Sequence, residues 1–519
     1  MRLYDRSRAR RSLFDTVTYR IASQLSTVLG YVILVRAMSK EDFGVLNLLY
    51  SFIPLVGTAA SLGLEQTLRR FQPEYLRQGN SAGSSWLVRR IASLRLGINL
   101  VVMAGVLLAW NRLAHYFDLA SYKVQFEFFC VLMLLHFQTQ ILQLSLATHM
   151  LHRFSVGSIA LLSFGKLVWY SILAAMGALT LRHAIYADTC AYAVAYVFLR
   201  VAHHRQCGGG EEAGAYRPAA DERKRLIRYG MFNNFNDAGT LFLESRIDNF
   251  FIAAFMNPIA VGIYSFYMRL NEMVLNLLPG RLFDNIIQPM FFSVKPVEAD
   301  VRLPQYFSFL LNVNLLALWP VFCFSIAYHS EIVRVIFGGK FVEQSWLLPM
   351  ILGFALINVI STPVALIAQY EEKPHIQLLS KVFAIYNVAA LFLLIPRLGL
   401  YGAALAIGSS QTLKNLFIWW HVRRRAVWVN ASAMWFSIAL WGSAATLCLT
   451  LKAVLPVPSV VQLVIGALIV ACASLIHFRA PILGSSDREI LLRLFHGKEI
   501  RLLQWLGLVR PVRSNLGAH

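Results

Sequence analysis

The sequence predicts an all-α polytopic membrane protein with about fourteen transmembrane helices, arranged as two pseudo-symmetric six-helix bundles plus a C-terminal helix pair. Three observations predict it. First, 57% of the 519 residues are hydrophobic and only 14% are charged, with a mean hydropathy of +0.56. A soluble domain carries roughly 25% charged residues. Second, mostly apolar stretches of about 20 residues, enough to cross a bilayer core of roughly 30 Å, recur along the whole length. Third, a polar pattern in the first half returns in the second.

The spans read, in order, 12–37, 43–64, 90–110, 124–148, 154–177 and 183–203. The basic start, Arg2 to Arg11, has no small-residue cleavage site after a short apolar run, so it reads as the cytoplasmic flank of a retained first helix. A polar linker, Cys207 to Pro218, separates the halves. The second half reads 226–256, 259–292, 304–328, 345–370, 375–396 and 399–421, and a final pair reads 432–452 and 459–478. The expected organisation is an N-terminal bundle (1–204), a cytoplasmic linker (205–225), a C-terminal bundle (226–425), transmembrane helices thirteen and fourteen (426–480), and a cytoplasmic tail (481–519). The tail opens with the capping-box pattern Ser486-Asp487-Arg488-Glu489, and its Leu491, Leu494, Phe495, Leu502, Leu503 and Leu506 alternate with basic residues. That pattern predicts a helix lying on the inner membrane surface.

Charge placement tests the topology. With the N-terminus inside, and with Arg90, Arg200, Arg228 and Lys452 near the span ends counted in the loops they adjoin, the cytoplasmic segments hold 31 of the 48 Lys and Arg residues and the outer loops hold 8. Such an excess over mostly short loops sets orientation, with both termini cytoplasmic and the chain in the cell inner membrane. The net charge of +21 therefore follows the membrane and does not indicate nucleic acid as a partner.

The second span carries Asn47, Ser51, Pro54, Thr58 and Ser61. The eighth carries Ser265, Arg269, Glu272, Asn276 and Pro279 at the same spacing, each offset by 218. Both follow a glycine after a short outer loop, Gly44 and Gly262. Lys166 and Lys381 recur at an offset of 215. Duplicated halves are common in secondary transporters, with the substrate path between the repeats.

Nine basic residues fall within the spans: Arg20, Arg36, Arg95, Lys166, Arg246, Arg269, Arg281, Lys381 and Lys414. A charge at bilayer depth costs about 2.5–3.5 kcal/mol on insertion scales, so it normally faces a cavity or a partner. Arg36 and Lys414 lie near span ends, within reach of the interface. Arg20, Lys166, Arg246, Arg269, Arg281 and Lys381 remain as candidates for a cationic cavity suited to an anionic substrate, since the guanidinium fork matches phosphate oxygens. Asp15, Asn47, Ser51, Glu65, Asn233, Asn236, Asp237, Glu244, Glu272 and Asn276 complete a polar lining; its acids are candidates for a coupling proton or sodium ion. Stripes of this kind also glue helices together, at about 0.6 kcal/mol per hydrogen bond. Arg269 and Glu272, three residues apart, are placed to neutralise each other.

Enzyme signatures are missing: there is no phosphate-binding loop, no HExxH and no GxSxG. The histidines show no metal-ligand pairing, so no metal and no cofactor is expected. The six cysteines lack CxxC spacing and read as small core hydrophobes.

Further short patterns recur in order: Phe43-Gly44, Gly63-Leu64 with Arg69 to Tyr75, Arg246-Ile247-Asp248-Asn249, Val261-Gly262-Ile263-Tyr264, Val335-Ile336-Phe337-Gly338, and Pro396 to Ala404. As an ordered set they resemble the polysaccharide-transporter branch of the multidrug/oligosaccharidyl-lipid/polysaccharide exporter superfamily, nearest to Wzx-type repeat-unit flippases. The resemblance implies two bundles around a central cationic cavity that moves a polyprenyl-pyrophosphate-linked oligosaccharide outward by alternating access, within membrane lipid and beside a polysaccharide polymerase or glycosyltransferases. In the related lipid II flippase, arginines on helices one, two and eight contact the pyrophosphate; here Arg20 and Arg269 fall on corresponding helices, while helix two offers only Glu65 and the terminal Arg69 and Arg70. The alternative is an ion-coupled multidrug-type exporter of small organic cations, which needs an acidic cavity. A membrane glycan polymerase or ligase would need a larger outer loop than 329–344, and a sugar symporter a glycine-rich basic segment after helix two.

Overall fold

The computed structural model describes residues 6–207, 216–241, 243, 245–282, 284–428, 432–480, 487–488 and 490. They are helical almost throughout. The described chain divides into two compact units: Met1–Phe266 with Asn387–Ala403, and Tyr267–Tyr386 with Ala404–His519.

In the first unit, α1 (Arg6–Ala37) is followed by α2 (Lys40–Ala59). The Oγ of Ser39 accepts the Asp42 amide, and Glu41 and Asp42 occupy the first turn, where acids favour a helix N-terminus. Leu62 and Gly63 take left-handed backbone angles, and α3 (Leu64–Arg77) begins there. A side chain at Gly63 is impossible, since its Cβ would stand 1.8 Å from the Gly230 carbonyl oxygen. The sequence reading treats this stretch as an inner loop. Its spacing is nonetheless helical: Leu68, Phe71 and Tyr75 share one face and bury against Leu87, Val88, Ile91, Ile141 and Leu226.

The unit continues with α4 (Ser81–Leu108), α5 (Trp110–Tyr116), α6 (Lys123–Thr148), α7 (His152–Ala175) and α8 (Leu181–Cys207). The expected single span 226–256 is two helices, α9 (Ala220–Leu241) and α10 (Ser245–Phe255). Next comes α11 (Pro258–Asn276). Gly44 of α2 and Gly262 of α11 occupy equivalent places in the sequence repeat, and they meet. A Cβ on Gly262 would lie 2.9 Å from the Gly44 Cα, and one on Gly44 would lie 2.0 Å from the Pro258 oxygen. The two helices meet backbone to backbone at these repeat-related positions.

In the second unit, the expected span 259–292 is broken after Asn276 into α12 (Pro279–Leu282) and α13 (Asp284–Phe292). Pro279 cannot supply the amide that would continue α11. Then α14 (Ala299–Phe337) runs 39 residues, about 58 Å at 1.5 Å per residue, well beyond a bilayer core. It bends at Tyr328, whose φ is −126°. The expected span 345–370 is interrupted by a 3₁₀ turn at Asn358–Ile360 between α15 (Leu347–Ile357) and α16 (Ser361–Tyr370). After α17 (Pro374–Leu379), α18 (Val382–Val422) reverses at Gly399, where φ is +56°. The reversal brings the Ser410 hydroxyl 2.7 Å from the Phe383 carbonyl.

The last pair is α19 (Ser432–Val454) and α20 (Ser459–Arg479). These two brace the bend in α14. Lys452 donates to the Ala327 carbonyl at 2.9 Å and to Glu331 at 2.8 Å, and Gly466 leaves room for the Tyr328 ring.

Ten stretches among the described residues are long and apolar enough to cross a membrane. Counting the two arms of α18 separately, and adding α1, α9–α10 and α11 with their polar stripes, recovers the fourteen expected. Three of the six cysteines, Cys130, Cys323 and Cys448, are buried; Cys190 and Cys472 are exposed on their helices, so the core reading holds for only part of the set.

Candidate functional site

In the first unit, Lys166 and two tyrosines converge on a buried carboxylate, Asp188 of α8. It accepts Tyr170 at 2.6 Å, also accepts Tyr50, and pairs with Lys166 at 3.0 Å. Lys166 donates to the Tyr50 oxygen at 3.1 Å and lies over the rings of Tyr50 and Tyr192. Tyr192 in turn contacts His136 at 3.0 Å. Asp188 is wholly enclosed and Lys166 is 20% exposed. Lys166 is thus one member of a four-helix network around an enclosed acid, and its charge is already met.

A second cluster joins the repeated stripes. Asn249 donates to Ser51 at 2.8 Å and accepts Ser265 at 3.2 Å. Its neighbour Asp248, fully buried, accepts Tyr264 at 2.8 Å and Asn387 at 3.3 Å. Among the described residues no basic side chain pairs with Asp248. Asn47 is spent on its own helix, donating to Phe43 at 2.7 Å. Glu65, at the start of α3, lies 3.4 Å from Arg95, which is 1% exposed. Arg20 is half-buried on α1, where its charge acts on His152 of α7; Arg246 is half-buried on α10 and acts on His136.

In the second unit Arg269 pairs with Glu272 at 2.8 Å, both about one-third exposed. Arg281 is exposed and donates to the neutral Asn276 at 3.1 Å. Lys381, half-buried, is near enough to Lys414 for their charges to interact. The 3₁₀ interruption places Asn358 where it donates to Thr412 at 3.1 Å and accepts Asn415 at 2.7 Å. The side chains of Asp15, Asn233, Asn236, Asp237 and Glu244 lie outside the described residues, as does the 481–519 tail apart from positions 487, 488 and 490.

Residues 33–346 match the family described as "Polysaccharide biosynthesis protein". The chain belongs to the polysaccharide biosynthesis protein family. No curated protein matches its sequence. Among solved structures, a lipid II flippase, MurJ, in an inward closed conformation is similar with a TM-score of 0.66 and 12% identity, over 89% of this chain and 99% of that one. A multidrug resistance MATE family transporter of the MOP superfamily, inward-facing, gives 0.60 at 13% identity, over 78% and 95%. The outward-facing form of such a transporter gives 0.51 at 14%, over 79% and 96%. At these identities the likeness shows the fold, which is that of the MOP superfamily.

For this family member the sequence reading missed three residues that the structure makes prominent: Asp188, Asp248 and Arg95. Arg95 stood among the nine membrane cations but not in the cavity set. Asp188 lies 22 residues from its lysine, on the next helix, so no local spacing signals the pair. Asp248 sits one residue from Asn249 within a quoted pattern, and burial alone distinguishes it.

Proposed function

We propose that the protein is a flippase that carries a polyprenyl-pyrophosphate-linked oligosaccharide, a polysaccharide repeat unit, from the cytoplasmic to the outer leaflet by alternating access, for exopolysaccharide, capsule or O-antigen biosynthesis. Family membership supports the pathway, and the fold shared with a lipid II flippase supports the activity. The observation that carries the anionic substrate is the pair of accessible guanidinium groups in the second unit, Arg269 and Arg281, one with a solvent-reachable acid partner and one with a neutral amide. Guanidinium groups at a membrane helix are costly unless a ligand or cavity repays them, and their fork suits a diphosphate. Arg20, Arg246 and Lys381 are proposed to contribute further charge. In this reading the protein is a transporter in the cell inner membrane with both termini cytoplasmic, working beside a polymerase or glycosyltransferases.

Asp248 favours a coupled mechanism, since a buried carboxylate held among the described residues by a tyrosine and an asparagine, with no basic partner, is suited to take a proton or sodium ion. It also accords with the alternative, an ion-coupled small-molecule exporter of the multidrug type; the second structural neighbour is a multidrug resistance transporter. One experiment separates the two. In a host lacking the gene, complete lipid-linked repeat units should accumulate on the cytoplasmic leaflet and surface polysaccharide should be lost. Wild-type gene should rescue this, and Arg269→Glu should insert normally without rescue. Unchanged lipid-linked glycans together with new drug sensitivity would overturn the flippase in favour of the exporter.

A further inference from the structure

One face of α4 carries two polar side chains that the fold encloses without satisfying. Arg95 is 1% exposed and Asn99, one turn on, is fully buried. Residues four apart on a helix stand side by side. The Arg95 Nη2 faces Glu65 at 3.4 Å, while among the described residues its Nε and Nη1 have no hydrogen-bond partner. Neither Nδ2 nor Oδ1 of Asn99 has one either. More than nine in ten buried polar groups are paired in folded proteins, and each orphan costs about 1–3 kcal/mol. An unmet cluster of this size, on a cation, needs an occupant.

The inventory identifies its chemistry. The unpaired groups offer five N–H bonds, one on Nε, two on Nη1 and two on Nδ2, against the single Asn99 carbonyl oxygen. A water molecule brings as many donors as acceptors and would leave that surplus. A cation is repelled by the guanidinium. Only an anion accepts throughout. Glu65 does not fully serve, because at 3.4 Å it stands beyond the 2.7–2.9 Å of a charge-assisted bond and is 28% exposed, so water shares its charge.

Size is also bounded. The Phe137 ring lies 4.7 Å beneath the guanidinium, and a Cβ at Gly57 would come within 3.1 Å of that ring and 3.9 Å of Nη2. These contacts wall one side of the guanidinium, and with Arg95 at 1% and Asn99 at 0% exposure the site has no opening through which a phosphate ester or a sugar could reach from bulk solvent. We propose that Arg95 and Asn99 form an occluded binding site for a small monovalent anion, of chloride size, inside the first unit. It is separate from the half-exposed arginines proposed to meet the pyrophosphate.

The full-length purified protein tests this in two ways. Crystals grown with bromide in place of chloride should show an anomalous peak within about 3.5 Å of Arg95 and Asn99 nitrogens. In detergent, thermal stability should rise saturably with chloride at constant ionic strength set by gluconate. Asn99→Leu, which keeps the volume and removes the donors, should fold and lose the saturable part. Arg95→Met is the direct variant, but it leaves Glu65 without its cation and can fail to fold. A water or empty density at the site, or an Asn99→Leu protein with the wild-type chloride response, overturns the assignment.

Discussion

Replacing Lys166 with methionine removes one half of an ion pair whose other half, Asp188, has no exposure at all. The carboxylate would keep its bonds from Tyr50 and Tyr170 but lose the only charge opposing it in the network. Breaking a buried pair from one side typically costs 3–5 kcal/mol, because the remaining charge stays desolvated. Asp188→Asn removes the charge but retains an acceptor for one tyrosine, and Lys166 is exposed enough to be partly hydrated; its cost should be nearer 2 kcal/mol, the worth of one or two charged hydrogen bonds. In the double variant Lys166→Met/Asp188→Asn no charge is left buried, so the total should not exceed the first single change. The coupling energy is then about 2–3 kcal/mol, at the upper end for residues in contact. Reversible unfolding of the four proteins in mixed detergent micelles measures this cycle. Additivity within about 0.5 kcal/mol would refute the claim that the two groups form one electrostatic unit.

Other outcomes follow from the same geometry. Gly44→Ala should destabilise the protein by about 1–3 kcal/mol or more, since its methyl group would meet backbone at 2.0 Å. Gly105→Ala on α4, with nothing within 4 Å, should instead stabilise it by about 0.5–1 kcal/mol in the same unfolding assay. Glu74 of α3 receives two bonds from Arg225 of α9, at 3.0 and 3.1 Å, which hold its carboxyl below the usual glutamate range. A depressed pKa in the folded state means the clasp is fully present above the ordinary glutamate value and is lost as pH falls through the lowered one. Protection from hydrogen exchange at 220–228, relative to the intrinsic rate at each pH, should therefore be unchanged from neutral pH down to mildly acidic pH and fall only below the glutamate range, where exchange accelerates over that reference. Arg225→Gln should move that acceleration to higher pH, and an unshifted profile would remove Glu74 as its cause.

How much of this was legible beforehand follows from the range of each interaction. Helix content, span positions and the paired stripes depend on periodicity within one segment, and hydropathy with a 218-residue offset revealed them. The repeat marked Gly44 and Gly262 as equivalent positions, but that the two meet depends on how α2 and α11 cross, which no offset states. Breaks within spans were not legible in the same way. Pro279 announces its break, and the expected boundary between spans 375–396 and 399–421 falls at the Gly399 reversal, but the 3₁₀ turn at Asn358 depends on Thr412 and Asn415 arriving from α18. Charge state was hardest of all. Lys166 and Arg269 are both embedded cations in the sequence; which one is neutralised beyond exchange depends on the burial of an acid that for Lys166 is 22 residues away and for Arg269 is three.

That contrast bears on which cations can serve a diphosphate. Lys166 is tied to an acid with no exposure, so a ligand would have to desolvate and displace Asp188. Arg269 is tied to Glu272 with about one-third of each side chain exposed, and exposed pairs are worth only about 0–1 kcal/mol. A pyrophosphate, offering more charge and a bidentate fit, can displace Glu272 at little cost, and Arg281, bonded to a neutral amide, needs no displacement at all. Glu272 then acts as a placeholder that keeps Arg269 extended while no substrate is bound. Glu272→Gln should preserve transport and lower the concentration of inorganic pyrophosphate that protects the purified protein from thermal unfolding. Arg269→Glu should abolish both transport and protection, whereas the Lys166→Met/Asp188→Asn protein should keep both. If Glu272→Gln instead stops transport as completely as Arg269→Glu does, the carboxylate has a task of its own in the cycle and exchange by the substrate is the wrong account of the pair.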